Sequence, residues 1–413
     1  MKRQIFLVGL LIVVVGCPAE LSASSDGQLS KDQRLTLGDG GVSQFYSFTE
    51  TLPDSVGVLL KREVLDEHLS LPGSGENFRL LYTSTDGIKG TAPIVVSGAL
   101  FLPQGPAPSE GWPLLLWSHG TVGIADVCAP SWTGYVPFHR EHLSQWLEQG
   151  FAIAASDYQG LGTPGIHPYL ATQPAAYSNL DLVRAIQTTE LPISKQVLVA
   201  GQSQGASAAI ATAGYWRDYA PEVDLRGVIS TGVPYFSKEA ITALRASRPR
   251  DVVDPKLGYN FLVLTLLEYV DSEFDAADHL RPDVLAIARD VASVCNRPMR
   301  QRIGELQLTY NDAFKEESGL QIENAYRYMG FPTLELGVPL FVGTGLADVD
   351  TPPRMQFQLE KAACTAGNVV SAHTYEGFDH LTMLNESQKD STQFAKQALA
   401  QQGVINRCDT LPF

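Results

Sequence analysis

An α/β fold is predicted, with a mostly parallel central sheet flanked by helices and a helical cap inserted late in the chain. Three observations predict it. Short apolar runs alternate with helical patterns from Pro113 to Thr231, which implies parallel strands joined by right-handed crossovers. The alternation stops over residues 237–329, where helical patterns run on without strand-like segments. It then resumes from Val338 to the last helix.

Taken in order, Phe78–Thr83 and Ile94–Leu102 read as antiparallel opening strands, followed by the Pro/Gly turn region 103–111. The alternating series is then strand Pro113–Ser118, helix His139–Glu148, strand Phe151–Ser156, helix Asn179–Thr189, strand Gln196–Ala200, a helix from Ala206 and strand Leu225–Thr231. Within the interruption, Tyr259–Leu267 is apolar on more than one helical face. A buried core helix has that pattern, and so does a cap helix whose inner face lines an apolar pocket. The closing elements are strand Val338–Gly343, helix Pro353–Thr365, strand Val369–Tyr375 and helix Met383–Gln401.

The chain has 413 residues, enough for one large domain with an insertion or for two domains. Its apolar fraction of 44% and charged fraction of 18% are those of an ordinary globular protein, and exclude collagen, coiled coil and wholesale disorder. A net charge of −15 repels phosphate-rich partners, so no nucleic acid is expected.

The N-terminus carries an address. Met1-Lys2-Arg3 is a positive n-region, and Ile5–Val15 is an apolar segment too short to span a bilayer. Val14-Val15-Gly16-Cys17 resembles the bacterial lipobox, in which a signal peptide is cleaved before a lipidated cysteine. The expected divisions are a lipoprotein signal peptide (1–16), a polar tether (17–35), the first part of the core (36–235), the helical cap (236–330) and the rest of the core (331–413). A membrane-anchored location in a bacterial cell envelope is expected. Pro18 in place of an aspartate after Cys17 points to the outer membrane; plain secretion is the alternative. Lipidation of Cys17 leaves four of the five cysteines, enough for two disulfides in an oxidising compartment. Of the three possible pairings, Cys128–Cys295 with Cys364–Cys408 ties the insertion to the core and closes the C-terminal unit.

The chemistry centres on Gly201-Gln202-Ser203-Gln204-Gly205, set between an apolar strand and a helix of small residues. In that context G-x-S-x-G is a nucleophile elbow, whose tight turn leaves no room for a Cβ at either glycine. A serine hydroxyl needs a base and a group to orient that base. In α/β-hydrolases these follow in the order Ser, Asp/Glu, His, each on a loop after a strand. His380 lies on such a loop in Gly377-Phe378-Asp379-His380, whereas His373 lies inside a strand. For the acid, Asp348 stands near the end of its strand, and Asp350 is the alternative, placed before Thr351-Pro352-Pro353 where it would cap a helix. The oxyanion hole should combine the Gln204 N–H with that of Thr121, or alternatively Gly120, from Ser118-His119-Gly120-Thr121-Val122-Gly123. His119 fits a brace for that loop, and Asp157 a structural carboxylate. No metal-ligand spacing, P-loop or dinucleotide fingerprint is present, so neither a metal nor a cofactor is expected.

The chain is similar to the secretory lipase family, the lipase A-like α/β-hydrolases. The residues that carry the resemblance are Ser118–Gly123, Cys128-Ala129-Pro130-Ser131, Asp157-Tyr158-Gln159-Gly160-Leu161-Gly162, Gly201–Gly205, Asp348 and His380, in family order. The resemblance implies the α/β-hydrolase fold, a helical cap between the elbow half and the Asp/His half, and the same two disulfides. It also implies hydrolysis of carboxylic esters through Ser203, with apolar esters such as acyl glycerides as substrates. A peptidase or amidase on the same scaffold and a non-catalytic binding lipoprotein are the rival expectations.

Overall fold

The computed structural model describes residues 38–90, 92–315 and 323–411. The signal peptide expected at 1–16, Cys17 and the tether expected at 17–35 lie outside the described residues.

Among these residues nine strands form one sheet. They are β1 (Leu59–Val64), β2 (Ser74–Thr85), β3 (Pro93–Pro103), β4 (Trp112–Ser118), β5 (Ala152–Ser156), β6 (Ile193–Gln202), β7 (Asp224–Thr231), β8 (Leu340–Gly345) and β9 (Val370–Tyr375). Their order is β1-β2-β3-β5-β4-β6-β7-β8-β9. The first three pairings, ending with β3 on β5, are antiparallel, and every pairing from β5 to β9 is parallel. Leu114, Leu115, Leu116 and Trp117 of the central β4 are buried, as the strands of a sheet covered on both faces must be.

Helices α1 (Pro137–Glu148), α2 (Thr172–Gln187) and α3 (Gln204–Tyr219) follow β4, β5 and β6. The two C-terminal units are α8 (Pro353–Thr365) after β8, then α9 (Thr382–Glu386) and α10 (Gln388–Leu399) after β9. One sheet face packs against α2, α3 and α8 through Leu180, Val183, Ala206, Ala209 and Leu359. The other packs against α1 and α10 through Leu143, Trp146, Phe394 and Ala398. The run of small residues in α3 lets that helix sit close to the sheet, with Ala206, Ala209, Ile210 and Ala211 fully buried.

Register gathers the loops. Ser118 lies opposite Ser156 on one side and Gly201 on the other, and Gln202 opposite Thr231, which in turn faces Gly343. The chain therefore leaves β4, β5, β6, β7 and β8 at one edge of the sheet, the carboxyl edge where ligands bind in open α/β folds.

Between β7 and β8 lie α4 (Lys238–Ala246), α5 (Leu257–Val270), α6 (Pro282–Ala292) and α7 (Asn296–Glu305). Helices α5, α6 and α7 share a hydrophobic cluster of their own, with Phe261, Leu262, Met299 and Ile303 joined by Phe314 from the segment after α7. Each such side chain contributes about 1.5–3 kcal/mol on burial. The cluster also takes in Ile124, Tyr169 and Ala171 from the sheet domain, so the cap is seated on the carboxyl edge. Helix α5 covers Tyr259–Leu267 and is buried at Phe261, Leu262, Val263, Leu264, Leu266 and Leu267, which accounts for its apolar character on several faces. Disulfide Cys128–Cys295 ties the cap to the loop after β4, with Cα atoms 5.4 Å apart. Cys364–Cys408 joins α8 to the C-terminal tail, with Cα atoms 5.6 Å apart.

Four local differences from the sequence expectations have physical reasons. Strand β1 was not expected; Lys61, Arg62 and Glu63 separate Leu59-Leu60 from Val64 in a half-exposed edge strand, so its apolar residues do not alternate. Helix α2 begins at Thr172, seven residues before Asn179, because Pro174 sits in the first turn, where a missing N–H costs nothing. The C-terminal helix is divided at Ser387, whose Oγ donates to the Leu384 carbonyl at 2.8 Å. Strand β8 starts at Leu340 rather than Val338, since Pro339 cannot donate to a ladder.

Candidate active site

Ser203 occupies the turn between β6 and α3 with φ 60° and ψ −123°, a conformation that L-residues rarely adopt. The glycines around it are required by contact. A Cβ on Gly201 would lie 2.1 Å from the Gly205 carbonyl oxygen, and one on Gly205 would lie 1.9 Å from that of Ser118. The strain is held in place by the Ser203 N–H, which donates to the Thr231 carbonyl at 3.0 Å, and by the buried helix behind it.

Asp348 and His380 meet on the same edge. His380 Nδ1 lies 2.8 Å from Asp348 Oδ2. The Asp348 carboxylate is buried and accepts further hydrogen bonds. Oδ1 takes the backbone N–H groups of Asp350 and Thr351, both at 2.8 Å. Oδ2 takes Thr351 Oγ1 at 2.8 Å and Gln356 Nε2 at 3.2 Å. The alternative acid, Asp350, supplies its N–H to Asp348, and its carbonyl accepts from Arg248 Nη2 at 2.7 Å.

Ser203 and His380 share supports. Gln202 Nε2 donates to the His380 carbonyl at 3.0 Å from the residue before Ser203. Gly232, next to the Thr231 that receives the Ser203 N–H, has φ +61°, and a Cβ there would stand 3.0 Å from the His380 ring. The absence of a side chain at Gly232 makes the space that the imidazole occupies.

The loop after β4 completes the edge. A Cβ on Gly120 would lie 3.5 Å from Ser203 Cβ and 2.9 Å from Gln202 Oε1, so the Gly120–Thr121 segment rests on the elbow. Gln204 is the first residue of α3, where a backbone N–H has no intrahelical acceptor. Its side chain points away, with Nε2 3.1 Å from His167 Nε2. His119 is buried with Nδ1 2.7 Å from the Gly120 carbonyl oxygen, which makes it a brace for the loop. Burial holds its pKa below the usual histidine value, against the opposing pull of its contact with the Gly120 carbonyl. His167 is likewise depressed by burial, to about 3. Both are therefore neutral.

Asp157 links two of the sequence signatures. Its Oδ1 accepts the Ser131 N–H at 2.9 Å, and its Oδ2 accepts from Ser97 Oγ at 2.6 Å and from Ser131 Oγ. Cys-Ala-Pro-Ser and Asp-Tyr-Gln-Gly thus meet in one buried network. Tyr158 stacks on His119 with ring centroids 4.3 Å apart and donates to the His119 carbonyl at 3.1 Å, behind the loop instead of in a pocket. His373 stacks on Phe341 with ring centroids 5.0 Å apart, its Nδ1 3.5 Å from Asp390 Oδ2 and apart from the site.

Thr351, Gln356, Gln202 and Gly232 were not singled out from sequence. Only Thr351 had a local cue, its place three residues after Asp348.

A family model described as secretory lipase matches residues 130–243. Lipase A of Moesziomyces aphidis is 24% identical over 232 residues, which are 52% of this chain and 47% of the relative. The match therefore spans about half the length of that curated relative. In fold, lipase A of Candida antarctica aligns with a TM-score of 0.67 at 17% identity, covering 86% of this chain and 85% of that one. The rice cell wall degrading esterase LipA of Xanthomonas oryzae aligns with a TM-score of 0.67 at 17% identity, covering 84% of this chain and all of that one. Over residues 130–243 the sequence is similar to the secretory lipases, and over most of its described length the fold is the α/β-hydrolase fold of lipase A.

Proposed function

We propose that the protein is a serine hydrolase of carboxylic esters. The observation that carries this reading is the strained Ser203 elbow lying beside a buried Asp348–His380 pair at 2.8 Å. Ser203 Oγ attacks the ester carbonyl while His380 Nε2 takes its proton, and Asp348 holds Nδ1–H and stabilises the imidazolium. The tetrahedral oxyanion is held by the N–H groups of Gln204 and Thr121. Its collapse expels the alcohol, which takes the proton from His380 and leaves an acyl-enzyme. Water, deprotonated by His380, then releases the acid and restores Ser203.

Apolar esters such as acyl glycerides fit the cap. A cavity of about 370 Å³ lies between α5, α6 and the loops at Ile124 and Ile166, with Phe261, Leu264, Leu285 and Ala288 in its walls. In sequence, Ile124 follows the proposed oxyanion loop and Ile166 precedes His167, whose Nε2 lies 3.1 Å from Gln204 Nε2; this adjacency supports the cavity as the place for the apolar part of a substrate. The two disulfides support an extracytoplasmic location. Lipidation at Cys17 would anchor the enzyme to a bacterial envelope membrane, and mass spectrometry of the mature N-terminus tests that.

The reading is tested by turnover of p-nitrophenyl butyrate. Wild-type protein hydrolyses the ester and Ser203→Ala, folded to the same Tm, does not. Turnover surviving in Ser203→Ala overturns the assignment. Hydrolysis of a peptide panel in preference to esters would move it to the peptidases.

A further inference from the structure

We propose that Asn296, the first residue of cap helix α7, is a positioning residue for the oxyanion loop, so that the cap completes the site for chemistry as well as for substrate binding. The inference rests on the ester-hydrolase reading above.

The Thr121 N–H belongs to the peptide that joins Gly120 to Thr121, and that peptide must be aimed at Ser203. The core holds one side of it, through His119 Nδ1 at 2.7 Å from the Gly120 carbonyl oxygen. The other side is held from the cap. Asn296 Nδ2 donates to the Thr121 carbonyl at 2.9 Å, and the Asn296 N–H donates to the Val122 carbonyl at 2.7 Å. Thr121 Oγ1 is fixed in turn by the Tyr169 hydroxyl at 2.9 Å. Tyr169 belongs to the apolar cluster of the cap, its ring centroid 6.4 Å from that of Tyr259 in α5.

Asn296 is placed covalently. It follows Cys295, whose disulfide to Cys128 crosses from cap to core. The end of the loop is packed against that bridge. A Cβ on Gly123 would lie 3.0 Å from Cys128 Sγ, from the Cys295 Cα and from the Val294 carbonyl oxygen. Gly120 and Gly123 make the loop easy to deform, since glycine restrains neither φ nor ψ. Two hydrogen bonds to consecutive carbonyls remove that freedom, and both come from one cap residue.

A cap that only lined an acyl pocket would affect long esters through KM. A cap that positions the oxyanion loop affects kcat for every ester, including p-nitrophenyl acetate, whose acyl group is too short to draw on the cap cavity. The test compares Asn296→Asp and Asn296→Ala with wild type on p-nitrophenyl acetate and p-nitrophenyl decanoate. The first variant keeps the volume and sets a carboxylate against the Thr121 carbonyl; the second only deletes the donor. Both should lower kcat by about 10- to 100-fold on both substrates, up to the cost of a catalytic group misplaced by about 1 Å. KM should stay within twofold, and inhibition by a boronic acid that forms a tetrahedral adduct should weaken by the same factor. Amide hydrogen exchange over residues 120–123 should accelerate in both variants, a readout independent of activity. Acetate turnover within twofold of wild type, with unchanged exchange, overturns the proposal. Failure of the ester-hydrolase reading would show separately, as absence of turnover in the wild-type protein, and the exchange measurement would still decide whether Asn296 holds the loop.

Discussion

Replacing Asp348 with asparagine should reduce kcat by about four orders of magnitude, the range for a triad acid that is lost while its geometry is kept. The structure says which atom carries the effect. Asp348 Oδ1 accepts two backbone N–H groups, which cannot turn away. Oδ2 accepts from His380 Nδ1, Thr351 Oγ1 and Gln356 Nε2. In the amide, the oxygen must stay against the two backbone donors, so the NH2 group takes the place of Oδ2. It then faces His380 Nδ1 as a donor, and the imidazole can meet it only as the tautomer with its proton on Nε2. That tautomer cannot accept the Ser203 proton. At about 1.36 kcal/mol per decade the loss corresponds to about 5.5 kcal/mol of transition-state stabilisation. Asp350→Asn is the control, because Asp348 uses only the N–H of residue 350; its kcat should stay within twofold of wild type. The assay is initial-rate hydrolysis of p-nitrophenyl butyrate at saturating substrate, with Tm recorded for each variant. The reasoning is refuted if Asp348→Asn keeps more than a tenth of wild-type kcat, or if Asp350→Asn proves the more damaging change.

Other outcomes follow from the same contacts. Ser203→Gly removes a left-handed strain of about 1–3 kcal/mol, partly offset by the entropy of glycine; it should be inactive yet melt slightly above Ser203→Ala, and equal or lower melting argues against stored strain at the elbow. Burial pushes the Glu360 carboxyl up to about 8, with its Oε1 accepting from Thr344 Oγ1 at 3.2 Å. The native state then keeps this proton between about pH 4.5 and 8 while the unfolded chain loses it, so stability falls as pH rises through that window. Glu360→Gln should therefore gain stability over wild type from pH 5 to pH 8, by up to about 1.4 kcal/mol per unit in urea titrations; a pH-independent difference contradicts the burial argument. Replacing Cys364 and Cys408 together by serine opens a loop of 44 residues. It should cost about 4 kcal/mol by chain entropy and leave kcat unchanged; a large loss of kcat without loss of stability would assign that bridge a role in the site.

The parts of this molecule that could be read from sequence are those whose signal is local. Strands β4 to β8 are buried on both faces and appear as apolar runs, whereas in β1, half-exposed at the sheet edge, Lys61-Arg62-Glu63 cuts Leu59-Leu60 short. Ser203 is marked by two glycines that contact forbids to be anything else, and His380 and Asp348 by their place after strands in a fixed order. Gln356, Gln202 and Asn296 carry no such mark. Each is an ordinary polar residue whose partner is 8, 178 or 175 positions away, so its part is set by what folds against it. The start of α2 carries a contrary local signal: Pro174 is by type a helix breaker, and only its position in the first turn makes it compatible with the helix.

The account stands on Ser203 being a nucleophile activated by His380, and covalent labelling measures that directly. Protein treated with a fluorophosphonate, digested and analysed by peptide mass spectrometry should carry one phosphonyl adduct, on the peptide containing Ser203. The adduct should be absent from Ser203→Ala and form at least a hundredfold more slowly in His380→Ala. An adduct on another serine, or a labelling rate indifferent to His380, would contradict the account.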